Sequence, residues 1–405
     1  MKMVWNYCNP GEKRPPFVAA QNRLLQNMEY TKLRWLLTIG GLVFYIVDIG
    51  TDVALALKYY VLDGRYILSA LTLGFVLVGM LVTQIFSYAW YKDDINDVFI
   101  NPQGISTISG ISKNGIAVFH VCGAGIFTRY YHLLKNGFRV VWTDSKEEST
   151  TEVHHRLFCQ ATDLSMLKLF EAFLESAPQL LLQIHIALHQ CDVSIMQYLS
   201  MVLSCFNISW ALVDYRRCLR RSLPQVREMP SGLPTAIYLL YKLCTISSHV
   251  LSYSLLLMLS PYSVIALAVL WLLGTTWSHL LQTNFCSSRS LEVLYRAVVG
   301  FILMFTFFNV KGQSTRASMI VYYFLYSLIN MTTPILLVLL IPELQTAMFF
   351  LAITGVIFGG SLLGLVFLLL YYLYLHPREK KREADEVDGL KKEAETGRIR
   401  HFLQP

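Results

Sequence analysis

The sequence contains few charged residues for a chain of its length. Of its 405 residues, 15% are Asp, Glu, Lys or Arg and 54% are hydrophobic, and the mean hydropathy is +0.45. A soluble domain carries about a quarter charged residues. The apolar runs are also far longer than the roughly 10-residue strands of a membrane β-barrel. The composition therefore predicts an all-α polytopic membrane protein.

Catalytic and metal-binding motifs are also missing. The chain has no P-loop, G-x-S-x-G, H-E-x-x-H or H-x₄-D motif. Its eight cysteines are scattered, with no C-x-x-C pair and no cluster at metal-ligand spacing. We expect no enzyme active site, no cofactor, no metal site and no disulfide framework. The formal charge of +7 is spread around the apolar segments, so we read it as a topology signal and expect no nucleic-acid partner.

Ten apolar segments follow a polar N-terminal stretch that has no uninterrupted signal-peptide core. They cover residues 35–60, 66–91, 114–134, 164–189, 193–214, 234–259, 262–282, 293–310, 318–341 and 346–375. Basic residues crowd the N-terminal stretch, the linker after the fifth segment and the tail after the tenth. The positive-inside rule places all three in the cytoplasm.

Five segments between two cytoplasmic points cannot all cross the membrane, because an even number of crossings is required. In each half one segment must enter and leave by the same face. The candidates are 114–134, which is short and contains Gly115, Gly123 and Gly125, and 293–310, which is also short. Basic residues flank both segments, as suits re-entrant segments packed inside protein. The alternative is a simple ten-span chain.

This topology consists of eight transmembrane helices plus two re-entrant membrane helices in two pseudo-repeats. The predicted organisation is a cytoplasmic N-terminal extension (1–32), a first membrane repeat (33–215), a basic cytoplasmic linker (216–233), a second membrane repeat (234–375) and a cytoplasmic tail (376–405). Broken segments at matching places in two repeats point to a pathway between the halves.

A polar stripe lies within the fourth segment, DLSMLKLFEAFLESAPQLLLQ. On one helix, Glu171, Glu175, Gln179 and Gln183 share a face with the nearby Lys168. The four positions span about 18 Å of a roughly 30 Å hydrocarbon core. Such a stripe must face other helices, water or a polar substrate.

Other segments supply further polar residues within the membrane: Asp48 and Asp52, four residues apart in the first segment, and Gln84 in the second. An aspartate at the bilayer centre costs about 2.5–3.5 kcal/mol, so two in one span require a reason. One reading is structural, with the acids paired to Lys168 and the amides joining helices. The other is a hydrophilic path for a lipid headgroup. The two readings are compatible.

The tail contains a candidate protease site. Asp385-Glu386-Val387-Asp388, followed by Gly389, matches the preference of executioner caspases, which cut after aspartate in acid-x-x-Asp sequences and accept a small residue next. The alternative is an ordinary acidic patch in a solvated tail. Exposed charged tails are common sites of proteolysis, so we favour the caspase site.

Several stretches together resemble the XK-related membrane proteins. They are VDIGTD, MLKLFEAFLESAPQLLLQ, ISWALVDYRRCLRRSLP, LYRAVVGFILMFTFFNVKGQ and the tail motif. The resemblance covers residues 28–405 and implies the same fold of eight spanning and two re-entrant helices. It also implies that Asp48, Asp52, Glu171 and Glu175 belong to a lipid path.

The resemblance implies a function as well. Members of the similar subgroup are plasma-membrane phospholipid scramblases that caspases switch on in apoptosis, and they expose phosphatidylserine as an engulfment signal. The expected partners are phospholipids and an executioner caspase. Some members require a single-span accessory subunit, and the sequence leaves open whether this chain does. The alternative function is an ion channel or small-solute transporter that uses the same polar seam.

Overall fold

The structure, a computed structural model, describes residues 30–96, 107–108, 111–142, 151–189, 195–222, 229–260, 262–283, 285–309, 316–341 and 348–376. These residues are helical apart from connecting turns and one antiparallel pair of two-residue strands, β1 and β2. The strands are Thr107–Ile108 and Ile111–Ser112. The prediction of an all-α chain is therefore confirmed in its main feature.

The described residues of the first half form seven helices. They are α1 (Lys32–Val61), α2 (Tyr66–Asn96), α3 (Lys113–Val121), α4 (Gly125–Trp142), α5 (Thr151–Glu171), α6 (Ala177–His189) and α7 (Ile195–Ser222). A π-helical turn, Ala172–Ser176, joins α5 to α6 without a break. The predicted fourth segment is thus the membrane part of one long helix that begins at Thr151.

In the second half, five helices lie within the residues that the structure describes. They are α8 (Leu233–Leu259), α9 (Ser263–Leu280), α10 (Arg289–Phe305), α11 (Arg316–Leu340) and α12 (Met348–Leu370). A second π-helical turn, Tyr371–Leu375, ends α12. α10 begins where the Ser288 side chain accepts a hydrogen bond from the Leu291 amide at 3.2 Å. The segment predicted at 293–310 therefore starts four residues earlier and ends five residues earlier.

The predicted break in the third segment lies between α3 and α4. Gly123 has a φ of +78°, a backbone conformation that other residues rarely adopt. The Gln84 side chain of α2 holds this turn: its Nε2 donates to Gly123 O at 2.9 Å, and its Oε1 accepts from the Gly125 amide at 2.8 Å. The turn's backbone is therefore satisfied inside protein, as the membrane interior requires.

Among the described ranges, six helices are long and apolar enough to cross a membrane by length and composition: Lys32–Val61, Tyr66–Asp94, Leu233–Leu259, Ser263–Leu280, Arg316–Leu340 and Phe350–Leu375. Large apolar side chains cover their outer faces, for example Leu339 of α11, which is 71% exposed. Such faces suit lipid contact. The chain is therefore a multi-pass membrane protein.

Side chains from both halves meet in one apolar core. Phe86, Trp90 and Phe170 from the first half belong to the same buried cluster as Tyr295 and Phe305 from the second. The Phe170 and Tyr295 ring centroids are 6.2 Å apart. This core lies next to the π-helical turn of α5–α6, so that turn and the polar residues around it are held by helices from both halves.

Candidate intramembrane polar site

Asp48 and Asp52 lie one turn apart on α1 and face the α5–α6 helix. Asp52 is only 6% exposed and Asp48 is half-buried. The Asp48 Oδ2 atom accepts two hydrogen bonds, from Ser176 Oγ at 3.2 Å and from Asn207 Nδ2 at 3.1 Å. One carboxyl group thus connects α1 with the π-helical turn and with α7.

Asp52 contacts the next turn of the same seam. Its Oδ1 accepts a short hydrogen bond from Gln179 Nε2, at 2.6 Å. Its carboxyl group also lies next to the Glu175 carboxyl group, so acidic side chains from α1 and from the π-helical turn meet at this point of the seam.

Glu175 packs directly against α2. A methyl group in place of the Gly79 hydrogen would lie 3.0 Å from both Cβ and Oε2 of Glu175, which is closer than ordinary contact. Only a glycine leaves room for the Glu175 side chain at this crossing. Glu175 is 1% exposed and Glu171, one turn earlier, is 6% exposed.

Lys168, on the α5–α6 helix, lies close to α1 near Gly41. A methyl group at Gly41 would lie 3.3 Å from Lys168 Nζ and 3.2 Å from the Tyr130 hydroxyl. Within the described ranges, Lys168 makes no ion pair with a carboxylate at 4 Å or less. Its charge acts on the Glu171 and Asp48 carboxyl groups from a distance. The structural interpretation that pairs the aspartates with Lys168 thus lacks a direct contact.

Three buried acceptor oxygens follow one another along this helix. They are Glu175 Oε1, Gln179 Oε1 and Gln183 Oε1, and none has a hydrogen-bond partner in the part of the chain that the structure describes. All three side chains are less than 5% exposed. A buried polar atom without a partner costs about 1–3 kcal/mol, so this row favours any passing group that donates hydrogen bonds.

The structure places Asp48 and Asp52 against the α5–α6 helix, and it places Gln84 elsewhere. Asp48 accepts from Ser176 and Asp52 accepts from Gln179, whereas both hydrogen bonds of Gln84 go to the turn between α3 and α4. Gln84 thus supports a break in the backbone. Its place in a lipid path stays a prediction.

Sequence reasoning missed two contributors. Asn207 is the α7 side chain that contacts Asp48, and Ser176 is the hydroxyl that reaches it from the π-helical turn. Neither belongs to the repeating pattern of acids and amides. The signal available was their polarity within apolar stretches, IMQYLSMVLSCFNISW and FLESAPQLLL. Both residue types join helices in membranes by hydrogen bonds.

A charged pair lies near the start of α1. Arg34, 6% exposed, contacts Asp214 of α7 at 3.4 Å and also donates to the Cys218 thiol. This contact is the only one of three ion pairs in the described residues that joins α1 to α7. Arg34 interrupts the acidic character of the α1 face at this end.

Two further predictions concern a tail motif and metal binding. The candidate protease site, Asp385, Glu386, Val387, Asp388 and Gly389, lies outside the described residues. Across the described part of the chain no group of three or more His, Cys, Asp or Glu residues is arranged to hold a metal ion. The polar seam is therefore the site on which a functional proposal can be built.

Comparison with known proteins identifies the family. The model of the XK-related protein family matches residues 36–377, which include all the helices of the seam. The chain belongs to the XK-related family. The resemblance drawn from the sequence motifs is thereby confirmed.

Individual XK-related relatives match over most of their length. XK-related protein 9 of Tetraodon nigroviridis is 57% identical over 379 residues, 93% of this chain and 100% of the relative. XK-related protein 8 of the same fish is 32% identical over 89% of this chain and 88% of its own. XK-related protein 8 of Pan troglodytes is 33% identical over 87% of both chains. The likeness thus extends across the whole membrane region.

Proposed function

We propose that this XK-related protein is a phospholipid scramblase of the plasma membrane that caspase cleavage of its tail activates. The observation that carries the proposal is the seam between α1, the α5–α6 helix and α7. Four carboxyl groups and three amides lie there among apolar helices. Packing alone does not require so many ionisable groups, because each costs about 2.5–3.5 kcal/mol at the bilayer centre.

The chemistry of the seam suits a lipid headgroup. A zwitterionic or anionic headgroup must leave water to cross the hydrocarbon layer, and it needs replacement hydrogen-bond partners on the way. The row of Glu175, Gln179 and Gln183 offers acceptor oxygens without partners in the described residues. Acyl chains can stay in the bilayer while the headgroup follows this row. Such movement runs down the concentration gradient and requires no nucleotide.

The topology that we propose has eight transmembrane helices and two re-entrant ones, with both termini in the cytoplasm. The break at α3–α4 supports the first re-entrant segment, and the short α10, Arg289–Phe305, is the candidate for the second. The re-entrant segment at α3–α4 lies directly against α2, the helix whose Gly79 receives Glu175. It therefore supports the wall of the seam.

The switch that we propose is the tail. An executioner caspase cuts after Asp388, removes residues 389–405 and frees the cytoplasmic side of the seam. In a dying cell the resulting scrambling exposes phosphatidylserine for engulfment. The basis is the five-residue motif in the sequence together with the family to which the chain belongs. The protein carries out transport and no covalent chemistry.

Reconstitution of the purified chain in liposomes tests the proposal. Fluorescent lipid in both leaflets is exposed to dithionite outside, and quenching is followed before and after treatment with an executioner caspase. We expect quenching to stop at about the outer-leaflet half without cleavage, and to proceed well beyond it after cleavage, if scrambling is the activity.

The same liposomes separate the alternatives. Quenching confined to the outer leaflet in both states, together with a caspase-dependent ion flux, would assign the seam to an ion channel or small-solute transporter. No activity in either assay, with the chain folded, would leave the seam a packing feature. Repeating the assay with a co-purified single-span membrane protein shows whether an accessory subunit is required.

A further inference from the structure

Arg216 and Lys242 are basic residues that make no ion pair of 4 Å or less with an acid in the described residues. Lys242 is 2% exposed and Arg216 is half-buried. The ion pairs among the described residues use Arg34, Arg129 and Arg296. Arg216 and Lys242 lie instead among tyrosines. We call this group the tyrosine cluster: Tyr238, Tyr241, Tyr323, Tyr371 and Tyr372.

Lys242 contacts only neutral groups: a hydroxyl, a backbone carbonyl and an aromatic ring. Its Nζ donates to Thr306 Oγ1 at 2.8 Å and to Phe307 O at 3.0 Å, and it lies 4.8 Å from the Tyr241 ring centroid. These neutral partners satisfy two of its three N–H donors and supply no negative charge. The positive charge of the tyrosine cluster therefore rests on Arg216, since arginine stays protonated in proteins whereas burial without an acid disfavours the charged form of lysine.

Arg216 presents an unused donor edge. Its Nη1 donates to the Tyr238 hydroxyl at 3.2 Å and to the Tyr372 hydroxyl at 3.1 Å. Its Nε is buried and has no hydrogen-bond acceptor among the described residues. The two tyrosine hydroxyls fix the plane of the guanidinium. The Nε side of that plane is one of the edges with which arginine binds phosphate or carboxylate.

Tyr371 supplies a second unused donor beside it. Its hydroxyl is buried without a hydrogen-bond partner among the described residues, and its ring centroid lies 5.5 Å from Arg216 Cζ. A buried donor without an acceptor is costly, and two that adjoin an uncancelled positive charge call for an anion. The free donors are thus arranged for a group with several acceptor oxygens.

The tyrosine cluster lies at the ends of three helices, a position that suits contact with lipid headgroups. It joins the end of α7, the start of α8 and the end of α12, next to the basic linker. Tyrosine and arginine at helix ends are typical of the membrane–water interface. On α12, the residues on either side of Tyr371 and Tyr372 are apolar and open to lipid: Leu369 is 57% exposed and Leu373 is 54% exposed. These leucines offer a surface for acyl chains.

We propose that Arg216 and Tyr371 bind the phosphate group of a phospholipid at the cytoplasmic interface. This site is separate from the seam and does not rest on scramblase activity, although its cytoplasmic placement rests on the proposed topology. Basic pockets between helices on the cytoplasmic side bind such headgroups in membrane proteins. The exposed leucines favour a phosphate that carries acyl chains over free phosphate.

Thermal unfolding of the full-length chain in uncharged detergent tests the site. Ligand that binds the folded state raises the midpoint temperature by an amount that reports its affinity. The probes are dioctanoyl phosphatidic acid, dioctanoylglycerol with the same chains and no phosphate, and sodium phosphate. We expect a concentration-dependent rise with the phosphate-bearing lipid, and none with dioctanoylglycerol or with sodium phosphate at equal concentration.

Four variants locate the effect. Tyr371→Phe removes a hydroxyl that has no partner in the described residues, so the free protein should unfold at an unchanged or higher temperature while the affinity for the lipid falls. Arg216→Lys keeps the charge but lacks the paired N–H donors of the guanidinium group, and it should weaken binding by about tenfold or more. Tyr374→Phe, at a position 78% exposed, and Arg217→Gln are the matched controls and should bind as the wild type does.

Three results would overturn the proposal. One is wild-type affinity in both Tyr371→Phe and Arg216→Lys. Another is an equal rise with sodium phosphate alone, which would make the ligand a free anion. The third is no lipid-induced rise in the wild type, together with a rise once the five tail acids before Gly389 are replaced by alanine. That result would show that carboxylates of the chain's own tail occupy the donors. Those acids are Glu379, Glu383, Asp385, Glu386 and Asp388.

Discussion

Replacing Glu171 and Glu175 by glutamine removes two ionisable groups from the seam and leaves the shape of both side chains almost unchanged. Both residues are buried, and Glu175 fits against Gly79 without space for a larger group. We expect the double variant to reach the cell surface and to scramble at least about tenfold more slowly, because the headgroup loses charged partners that lower its barrier by roughly 1.4 kcal/mol or more.

The measurement is dithionite quenching in liposomes after caspase treatment, scaled to the amount of protein incorporated. If surface expression collapses while the scrambling rate per molecule is retained, the carboxyl groups serve mainly to hold helices together.

Glu292 is the matched case of a buried carboxylate outside the seam. Its Oε2 accepts from the Phe285 and Cys286 amides at 2.9 and 2.7 Å, and its Oε1 accepts from Thr283 Oγ1 at 2.5 Å. Glu292→Gln turns one acceptor into a donor that faces other donors. We expect a loss of about 1.5–3 kcal/mol of stability with scrambling per folded molecule unchanged. Thermal unfolding and the liposome assay on one preparation check both halves of this prediction.

Residue spacing predicts part of the arrangement of the seam, and the contacts between helices lie beyond it. The i, i+4 spacing predicts that Glu171, Glu175, Gln179 and Gln183 line one face of a helix, and the cost of burying charge in lipid predicts that this face meets protein, water or a polar substrate. All four side chains are buried in the structure. Periodicity within one helix holds no information on which other helix lies opposite. The contacts of Asn207 with Asp48 and of Gln84 with the α3–α4 turn therefore became visible only in three dimensions.

At the scale of elements, the turn between α3 and α4 depends on the lack of a side chain at Gly125. A methyl group there would lie 2.5 Å from His120 Cδ2 and nearer still to Gln84 Oε1. Gly125→Ala must displace the amide that satisfies the turn, so we expect a loss of about 1–3 kcal/mol from overpacking. Gly40→Ala in α1, which meets nothing within 4 Å, is the control and should be neutral or stabilising. Thermal unfolding in detergent measures both, and equal midpoints would contradict the role given to Gln84.

The long helix α5–α6 illustrates where element prediction from sequence stops. The apolar pattern located its membrane part, but the helix begins at Thr151, well before the apolar run. Pro178 predicts a kink, and the irregularity lies just before it as the π-helical turn Ala172–Ser176. A π-helical turn follows from local competition between hydrogen-bond patterns and from neighbours such as Asp48, so no residue pattern announces its position.

At the scale of the whole molecule, the two halves share one core across Phe170 and Tyr295. Of the ten apolar segments that the sequence predicts, six correspond to helices in the described residues that are long and apolar enough to cross a membrane. The segments at 164–189 and 193–214 correspond to α5–α6 and α7, which are not among those six. The polar residues of these helices, several of which make the seam, lower the mean hydropathy.

The tail prediction belongs to the same scale, because a cut outside the membrane must alter the seam within it. We expect Asp388→Ala to fold and insert normally and to remain inactive after caspase treatment. Asp388→Glu is the closest control for charge: it keeps the acid, yet caspases require aspartate, so it should also remain uncut and inactive. Gel analysis of cleavage is compared with dithionite quenching in the same liposomes.

A third variant separates the cut from the enzyme that makes it. If residues 385–389 are replaced by the recognition sequence of an unrelated protease, that protease should activate scrambling and caspase should not. Activation by caspase of uncut Asp388→Ala would contradict the switch.

The π-helical turn between α5 and α6 has a consequence for how this helix tolerates changes in length. Such a turn holds one residue more than an α-helical turn of the same rise, and it is commonly understood as a single inserted residue. Deleting one residue from a membrane helix ordinarily rotates everything beyond it by about 100°. Within Ala172–Ser176, a deletion would instead let the helix relax to regular geometry with little rotation of the residues beyond it, so Gln179 would keep its place beside Asp52. The helix thus contains one place where a residue can be lost without dividing the polar seam.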